Sequence, residues 1–115
     1  MKTHHLSWAL ALMLLASSAS ATTFTVTTTA DEFDTPSGAD VSLREAIRDA
    51  GNAAGADTIV FNGALSGQTI TLGGTELLVN HSLSIDASSL TTGITISGNN
   101  ISRGFRVNSP GVLSL

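Results

Sequence analysis

Four acidic side chains lie close together in a stretch that has no periodic apolar pattern. They are Asp31, Glu32, Asp34 and Asp40. Calcium binds several carboxylate and carbonyl oxygens at once, so an acidic stretch of this kind is a candidate Ca²⁺ site. The spacing differs from that of known calcium loops, however. We therefore expect a solvated acidic loop, with a weak calcium site as the alternative, and no other cofactor.

Two further carboxylates, those of Asp57 and Asp86, lie beside predicted strands, and neighbouring turns of a repeat protein could bring them together. Enzymes that cleave polysaccharides use such carboxylates, with arginine or lysine, for acid, base or calcium chemistry. Asp57 also fits the turn that enters its strand, and Asp86 fits the turn that leaves its own. Arg103 and Arg106 could meet an acidic sugar, or could simply be exposed strand residues. The functional and the structural interpretations both stay open.

His81 is the only histidine beyond residue 5. No cysteine or second histidine lies near it in the sequence, so the pattern predicts neither a zinc site nor a catalytic base there. The chain also lacks the G-x-S-x-G and H-E-x-x-H motifs and a glycine-rich phosphate loop. We assign no catalytic, cofactor-binding or firm metal-binding residue, and we lean towards a protein that is not an enzyme.

The segment from Met1 to Ala21 has the order of a secretory signal peptide. A basic start with Lys2 precedes an uncharged apolar run, residues 6–16, and Ala19-Ser20-Ala21 matches the A-x-A cleavage pattern. The apolar run is shorter than the ~20 residues that span a bilayer, so an uncleaved anchor is the weaker alternative. We predict cleavage after Ala21. The mature chain then acts outside the cytoplasm or at the cell surface, without a transmembrane segment.

The composition of the mature chain limits its partners and its means of stabilisation. It keeps four arginines against all nine acidic residues, a formal charge of −5, so nucleic acid is not an expected partner. Cysteine is absent from the chain. A disulfide scaffold, which is common in small exported domains, is therefore excluded. The stability must come from backbone pairing and an aliphatic core.

Apolar residues after the leader come in short bursts separated by glycine or asparagine, which predicts many short strands. Two of these bursts recur with the same period of about 24 residues, since 59–61 falls on 83–85 and 70–72 falls on 94–96. A fixed period is typical of solenoids, and this length suits a three-sided parallel β-helix. An antiparallel sandwich is the alternative. The asparagines expected at the corners are Asn62, Asn80, Asn99, Asn100 and Asn108.

One segment has helix signals instead. Ser42 and Glu45 match a capping box, in which each side chain binds the backbone amide of the other. The apolar residues that follow form one face: Leu43, Ala46, Ile47, Ala50 and Ala54. The polar residues form the other: Arg44, Glu45, Arg48, Asp49 and Asn52. Gly55 is the expected stop, and the helix is expected to cover the first turn of the solenoid.

The stretch from Thr25 to about Val107 resembles the CSLREA-type N-terminal module of bacterial exported β-helix proteins. The resemblance rests on Ser42-Leu43-Arg44-Glu45-Ala46-Ile47 and on the Asp57-Thr-Ile-Val-Phe61 strand that follows it. Val41 stands where the motif has cysteine, so no thiol role is carried over. The resemblance implies a right-handed parallel β-helix of the pectin-lyase-like kind, with this chain forming its capping helix and first turns.

These observations predict three parts. Residues 1–21 are a cleavable signal peptide, residues 22–56 hold a first strand, the acidic loop and the capping helix, and residues 57–115 form the first turns of a parallel β-helix, truncated in this chain. The expected role is a secreted or cell-surface scaffold, adhesin-like and able to bind carbohydrate or other surface components. The alternative is the N-terminal part of a polysaccharide lyase or glycoside hydrolase whose active site lies in later turns. A third possibility is that the short chain has no function of its own.

Overall fold

The computed structural model describes residues 20–115, so the predicted signal peptide lies outside the described residues except for Ser20 and Ala21. The described part contains eight strands, one α-helix and a single 3-10 turn at Gly63–Leu65. The elements are β1 (Thr23–Val26), α1 (Leu43–Asn52), β2 (Asp57–Phe61), β3 (Thr69–Thr71), β4 (Leu77–Val79), β5 (Ser82–Ile85), β6 (Thr95–Ser97), β7 (Phe105–Val107) and β8 (Val112–Ser114). Within residues 20–115, no helix is both long enough and apolar enough to cross a membrane.

The strands form three sheets, and every strand pair within them is parallel. The largest sheet has the order β1-β2-β5-β8, while β3 pairs with β6 and β4 pairs with β7. Parallel neighbours need long connections, which these strands have because a whole set of other strands lies between the two members of a pair. The predicted parallel pairing is confirmed, and the antiparallel sandwich is wrong.

The repeat length read from the sequence is too short by two residues. The period of the apolar bursts places Leu83 beside Ile59, whereas Ile59 pairs with Ile85 in the structure. Ile70 pairs with Ile96, which again lies two residues beyond the position that the sequence period predicts. The number of residues between paired positions of β4 and β7 is larger still. Side chains alternate between the two faces of a strand, so a shift of two residues keeps every apolar side chain on the same face. Apolar patterning therefore could not distinguish the two registers.

The core consists of the inward residues of the strands together with the apolar face of α1. Strand β2 shows the alternation most clearly, since Asp57, Ile59 and Phe61 are buried and the residues between them are partly exposed. Helix α1 packs against β1, β2 and β4. The buried apolar residues are Val26, Leu43, Ala46, Ile47, Ala50, Ile59, Phe61, Leu65, Ile70, Leu72, Leu77, Val79, Leu83, Ile85 and Leu90.

The start of α1 follows the sequence prediction, but its polar face and its end do not. Ser42 is the N-cap, and both bonds of the capping box with Glu45 are present. Glu45, however, is 0% exposed and does not lie on the solvent face. The helix ends at Asn52 rather than at Gly55. Gly51 and Asn52 are poor helix formers, and the chain must turn there to enter β2.

Two of the five predicted corner asparagines have the left-handed backbone that the prediction requires. Asn99 has a φ of 57° and Asn100 a φ of 59°, in the turn between β6 and β7. Asn62 has an extended backbone instead, and its side chain accepts a hydrogen bond from the amide of Ala64 at 2.9 Å. This bond caps the 3-10 turn, which is another common use of asparagine at a chain reversal.

Candidate functional site

The acidic stretch of residues 31–40 is largely exposed, as expected of a solvated loop, and two arginines of α1 bind it. Arg44 donates to Asp31 through Nε and Nη2, at 2.7 and 2.8 Å. The amide of Gly73 also donates to this carboxylate, at 2.7 Å. The hydrogen bond from Arg44 lowers the pKa of Asp31, and the bond from Gly73 and the charge of Arg44 lower it further. Asp31 is thus held by the protein itself.

Arg48 lies one helical turn later and binds the second half of the same loop. It donates to the carbonyl oxygen of Asp34, to Oγ1 of Thr35 at 3.0 Å and to Oγ of Ser37 at 2.7 Å. Its guanidinium lies 4.8 Å from the centroid of the Phe33 ring, a cation–π distance. Because the two arginines are four residues apart, they leave α1 on the same side. Together the two arginines hold the acidic loop against one side of the helix.

Three carboxylates come within 4.8 Å of one another, but they are not the predicted set. They belong to Glu32, Asp34 and Glu45. Partial burial raises the pKa of Glu32, and so do the charges of Asp34, Glu45 and Asp40. Glu45 was not among the predicted ligands, because the helical pattern places it on the solvent face; its place in the capping box is the signal that indicates a held carboxylate.

Both carboxylate oxygens of Glu45 accept hydrogen bonds from backbone amides. Its Oε1 accepts from the amide of Ser42 at 2.9 Å, and its Oε2 accepts from the amide of Asp34 at 2.5 Å. Calcium takes about six to eight oxygens. With Asp31 bound to Arg44 and Asp40 outside the group, the cluster offers few free carboxylate oxygens. A calcium ion at this loop stays the weaker alternative to a loop without an ion, and Glu32 and Asp34 are the candidate ligands that remain.

A cleft of about 700 Å³ lies between α1, the acidic loop and β4. This volume is in the usual range of small-molecule sites. Ile47 and Leu77 contribute apolar surface, and Phe33 lies at the edge with 57% of its surface exposed. The residues that line the cleft are Phe33, Arg44, Ile47, Arg48, Gly51, Asn52, Glu76, Leu77, Leu78, Asn80 and His81. An exposed ring and amide side chains are groups that can contact a polar, ring-shaped ligand.

The remaining two arginines lie beside this cleft. Nε of Arg103 is 3.3 Å from Oε1 of Glu76, a cleft residue. Arg106 is the register partner of Leu78, which also lines the cleft. Paired residues of neighbouring parallel strands point to the same face, so Arg106 leaves β7 next to Leu78. Arg44 and Arg48 thus line the cleft, whereas Arg103 and Arg106 do not line it but lie next to two of its residues.

The structure gives His81 a packing role against α1. A side-chain carbon at Gly51 would lie 3.1 to 3.7 Å from the atoms of the imidazole ring, so the absence of a side chain there makes room for the ring. Nδ1 lies 3.3 Å from Oδ1 of Asn80. Nε2 is buried and has no hydrogen-bond partner within residues 20–115. The histidine thus forms part of the cleft wall.

Asp57 and Asp86 are not brought together. Asp57 opens β2 and pairs with Leu83, whereas Asp86 follows β5 and its amide donates to the carbonyl of Ile59. The two carboxylates are therefore about three residues, or ~10 Å, apart along the strand direction. Asp57 is buried, and Asp86 accepts from the amide of Ser88 at 2.8 Å, which lowers its pKa. This geometry does not form a catalytic pair.

Comparison with known proteins found no matching family model, no matching curated protein and no matching solved structure.

Proposed function

We propose that this chain is the N-terminal cap and first turns of an exported, right-handed parallel β-helix of the CSLREA type. In this proposal residues 1–21 are a cleaved signal peptide, and the mature protein is a secreted or cell-surface scaffold of the adhesin type. The cleft beside α1 binds carbohydrate, and the exposed Arg103 and Arg106 beside it favour an acidic sugar. The alternative, the N-terminal part of a polysaccharide lyase or glycoside hydrolase, has its active site in later turns; within residues 20–115, Asp57 and Asp86 lie apart and form no catalytic pair.

One observation supports the solenoid more than any other. From β2 onwards, successive strands visit the three sheets in the same cyclic order, so β5 returns to the sheet of β2, β6 to that of β3, β7 to that of β4 and β8 to that of β5. A chain that coils around three faces produces this order, because each turn adds one strand to each face. Each strand therefore pairs with the strand that lies one such turn further along the chain.

The position of α1 supports its role as a cap. The helix packs on β1 and β2, the two strands at the N-terminal side of the largest sheet. The end of a parallel solenoid exposes apolar side chains and unpaired backbone groups, which favours aggregation unless another element covers them. Leu43, Ile47 and Ala50 bury their side chains in the same core as the strands.

The arrangement of charge supports an acidic carbohydrate as the ligand. Arg103 and Arg106 are exposed and lie next to the cleft residues Glu76 and Leu78, although they do not line the cleft themselves. Arginine binds a carboxylate through two parallel hydrogen bonds, which suits the carboxylate of a uronic acid. The exposed ring of Phe33 offers the flat apolar surface on which a sugar ring can lie.

Binding can be tested by titration calorimetry with an oligomer of galacturonic acid and, as the matched neutral probe, an oligomer of galactose. We expect saturable binding of the acidic oligomer only, with weaker binding at high salt. Phe33→Ala should weaken it at least about 10-fold, since this loses an aromatic contact in the cleft. Ile101→Ala is the control, because Ile101 is 68% exposed and does not line the cleft.

Three results would contradict this proposal. They are the absence of heat with both oligomers, equal affinity for the acidic and the neutral oligomer, and equal losses in the Phe33 and Ile101 variants. Release of an unsaturated uronate product during the titration, detected by its ultraviolet absorbance, would show lyase activity in this chain and would contradict a role in binding alone.

A further inference from the structure

The carboxylate of Asp57 is buried at the start of β2 with incomplete hydrogen bonding. Its exposed fraction is 1%. Oδ1 accepts a hydrogen bond from the backbone nitrogen of Thr22 at 2.8 Å. Oδ2 is buried and has no hydrogen-bond partner within residues 20–115. A buried carboxylate with one neutral donor is unfavourable, because the loss of its hydration is not compensated.

The donor to this carboxylate is the residue that follows the predicted cleavage site. Ala19-Ser20-Ala21 matches the A-x-A pattern, so cleavage makes Thr22 the first residue of the mature chain. Water hydrolyses the Ala21–Thr22 peptide bond, and the products are a carboxylate on Ala21 and an amine on Thr22. This α-amine binds a proton at neutral pH and becomes an ammonium group. The single neutral N–H of the precursor is thereby replaced by three N–H donors and a positive charge.

We propose that Asp57 is the receptor for the α-ammonium group that signal cleavage creates, so that processing completes the fold. The inference goes beyond the carbohydrate cleft and rests on the proposed export of the chain. The new ammonium group forms an ion pair with the buried carboxylate of Asp57 and supplies the donor that Oδ2 lacks. In the precursor the same carboxylate has only the amide of Thr22, so the mature chain is the more stable form.

The surrounding backbone already holds Thr22 in place for this contact. The carbonyl oxygen of Thr22 accepts from the amide of Thr58 at 3.0 Å, and Thr23 pairs with Thr58 at the start of β1. The ammonium group is therefore positioned by the β1–β2 pairing, and little further ordering is needed to form the ion pair. Cleavage changes the charge at this position and leaves the strands as they are.

The test begins with the chain from Met1 to Leu115, secreted from a bacterial host, whose intact mass gives the first residue. We expect a chain that begins at Thr22. Its stability in urea is then compared with that of a chain that keeps Ser20 and Ala21 in front. The unfolding equilibrium constant should be at least about 10-fold smaller for the chain that begins at Thr22, because its folded state is more stable.

Asp57→Asn, made in both chains, shows whether the carboxylate is responsible. This substitution keeps the size and removes the charge, so the advantage of the shorter chain should fall below about 3-fold. Should the variant fail to fold, Nα-acetylation of the wild-type chain that begins at Thr22 makes the same test. The acetyl group removes the positive charge, and we expect it to abolish the advantage.

A second measurement follows the amine itself. Reductive methylation of Thr22 should be at least about 10-fold slower in the folded chain than in the chain unfolded by urea, because pairing with Asp57 favours the protonated amine, which does not react. The proposal is overturned by a secreted chain that begins elsewhere, by equal stability of the two wild-type chains, by an advantage that survives acetylation or Asp57→Asn, or by equal methylation rates. The intact mass tests the predicted export and cleavage, whereas the stability and methylation measurements test the pairing of Thr22 with Asp57.

Discussion

Arg44 binds Asp31 through two parallel hydrogen bonds, from Nε to Oδ1 at 2.7 Å and from Nη2 to Oδ2 at 2.8 Å. The same guanidinium donates to the carbonyl oxygens of Thr75 at 2.9 Å and Glu76 at 3.1 Å. One side chain of α1 thus connects the acidic loop with the segment that enters β4. The planar fork of arginine makes these contacts possible at the same time, which a lysine ammonium cannot do.

The first prediction concerns this fork. Arg44→Lys should lower the free energy of unfolding by about 1 to 3 kcal/mol, because charged hydrogen bonds are lost and the carboxylate of Asp31 is left partly unpaired. Urea unfolding measures the change. Arg106→Lys is the control, since Arg106 is exposed and has one long contact, 3.3 Å from Asn108. Its effect should stay within about 0.5 kcal/mol. Equal effects of the two substitutions would contradict the role given to Arg44.

The second prediction is the pH dependence of Asp31→Asn. The hydrogen bond from Arg44 lowers the pKa of Asp31 in the folded state, so the ionised carboxylate stabilises the fold above its unfolded pKa, near 4. The substitution should therefore lower the stability at pH 7. The deficit should shrink as the pH falls below about 4 and through the lowered pKa, because wild-type Asp31 then becomes protonated as well. Asp40→Asn in the same exposed loop is the control. A deficit that is equally large at pH 7 and at pH 3 would be the contrary result.

Glu32→Gln should change the stability at neutral pH in the opposite direction. Partial burial and the neighbouring carboxylates raise the pKa of Glu32, so its charged form destabilises the folded state at neutral pH. The variant should be more stable than the wild type at pH 7. The gain should disappear as the pH falls through the raised pKa to about 4, where both side chains are neutral. Urea unfolding across this pH range measures the gain, and a loss of stability at pH 7 would contradict the sign.

The same variant tests the calcium prediction at Glu32 and Asp34. If calcium binds there, its addition at pH 7 raises the melting temperature of the wild type, and a chelator reverses the change. Glu32→Gln should then respond less, because it removes one of the ligands. Equal responses of the two proteins would exclude this cluster as the calcium site.

The sequence was sufficient for those features that depend on local contacts. The capping box of Ser42 and Glu45 was predicted correctly, because both partners lie within one helical turn. The burial of Glu45 was not, because it depends on the amide of Asp34, eleven residues away in a loop without periodicity. The pairing of Arg44 with Asp31 was missed for the same reason. Spacing along a helix shows which residues share a face, and it does not show whether a loop covers that face.

Gly51 and His81 give a prediction about the end of α1. An alanine in place of a helical glycine usually stabilises a protein by about 0.5 to 1 kcal/mol. Here the new methyl carbon would lie 3.1 Å from Cε1 and 3.2 Å from Nδ1 of His81, so the ring would have to move. Gly51→Ala should therefore stabilise the wild-type protein less than it stabilises the variant that already carries His81→Ala. Thermal unfolding of the four proteins measures the coupling, and additive effects would show that the ring does not restrict this position.

The register of the strands gives the last prediction, because the observed pairing differs by two positions from the one that apolar patterning suggested. Thr58 pairs with Ser84, and both are partly exposed. The chain contains no cysteine, so an introduced pair has no competitor. Cysteines at positions 58 and 84 should be joined on oxidation, because paired residues of neighbouring strands have Cα atoms within the range that a disulfide tolerates.

Cysteines at positions 58 and 82 form the matched control. This pair has the spacing of the sequence repeat and points to the same face, but Ser82 is displaced from Thr58 by two residues along the strand, about 7 Å. Its Cα atoms are then too far apart for a disulfide without movement of the backbone. Non-reducing mass mapping of peptides after mild oxidation measures both yields. Cross-linking of the 58–82 pair in preference to the 58–84 pair would restore the shorter repeat expected from the sequence and shift the register of β2 against β5.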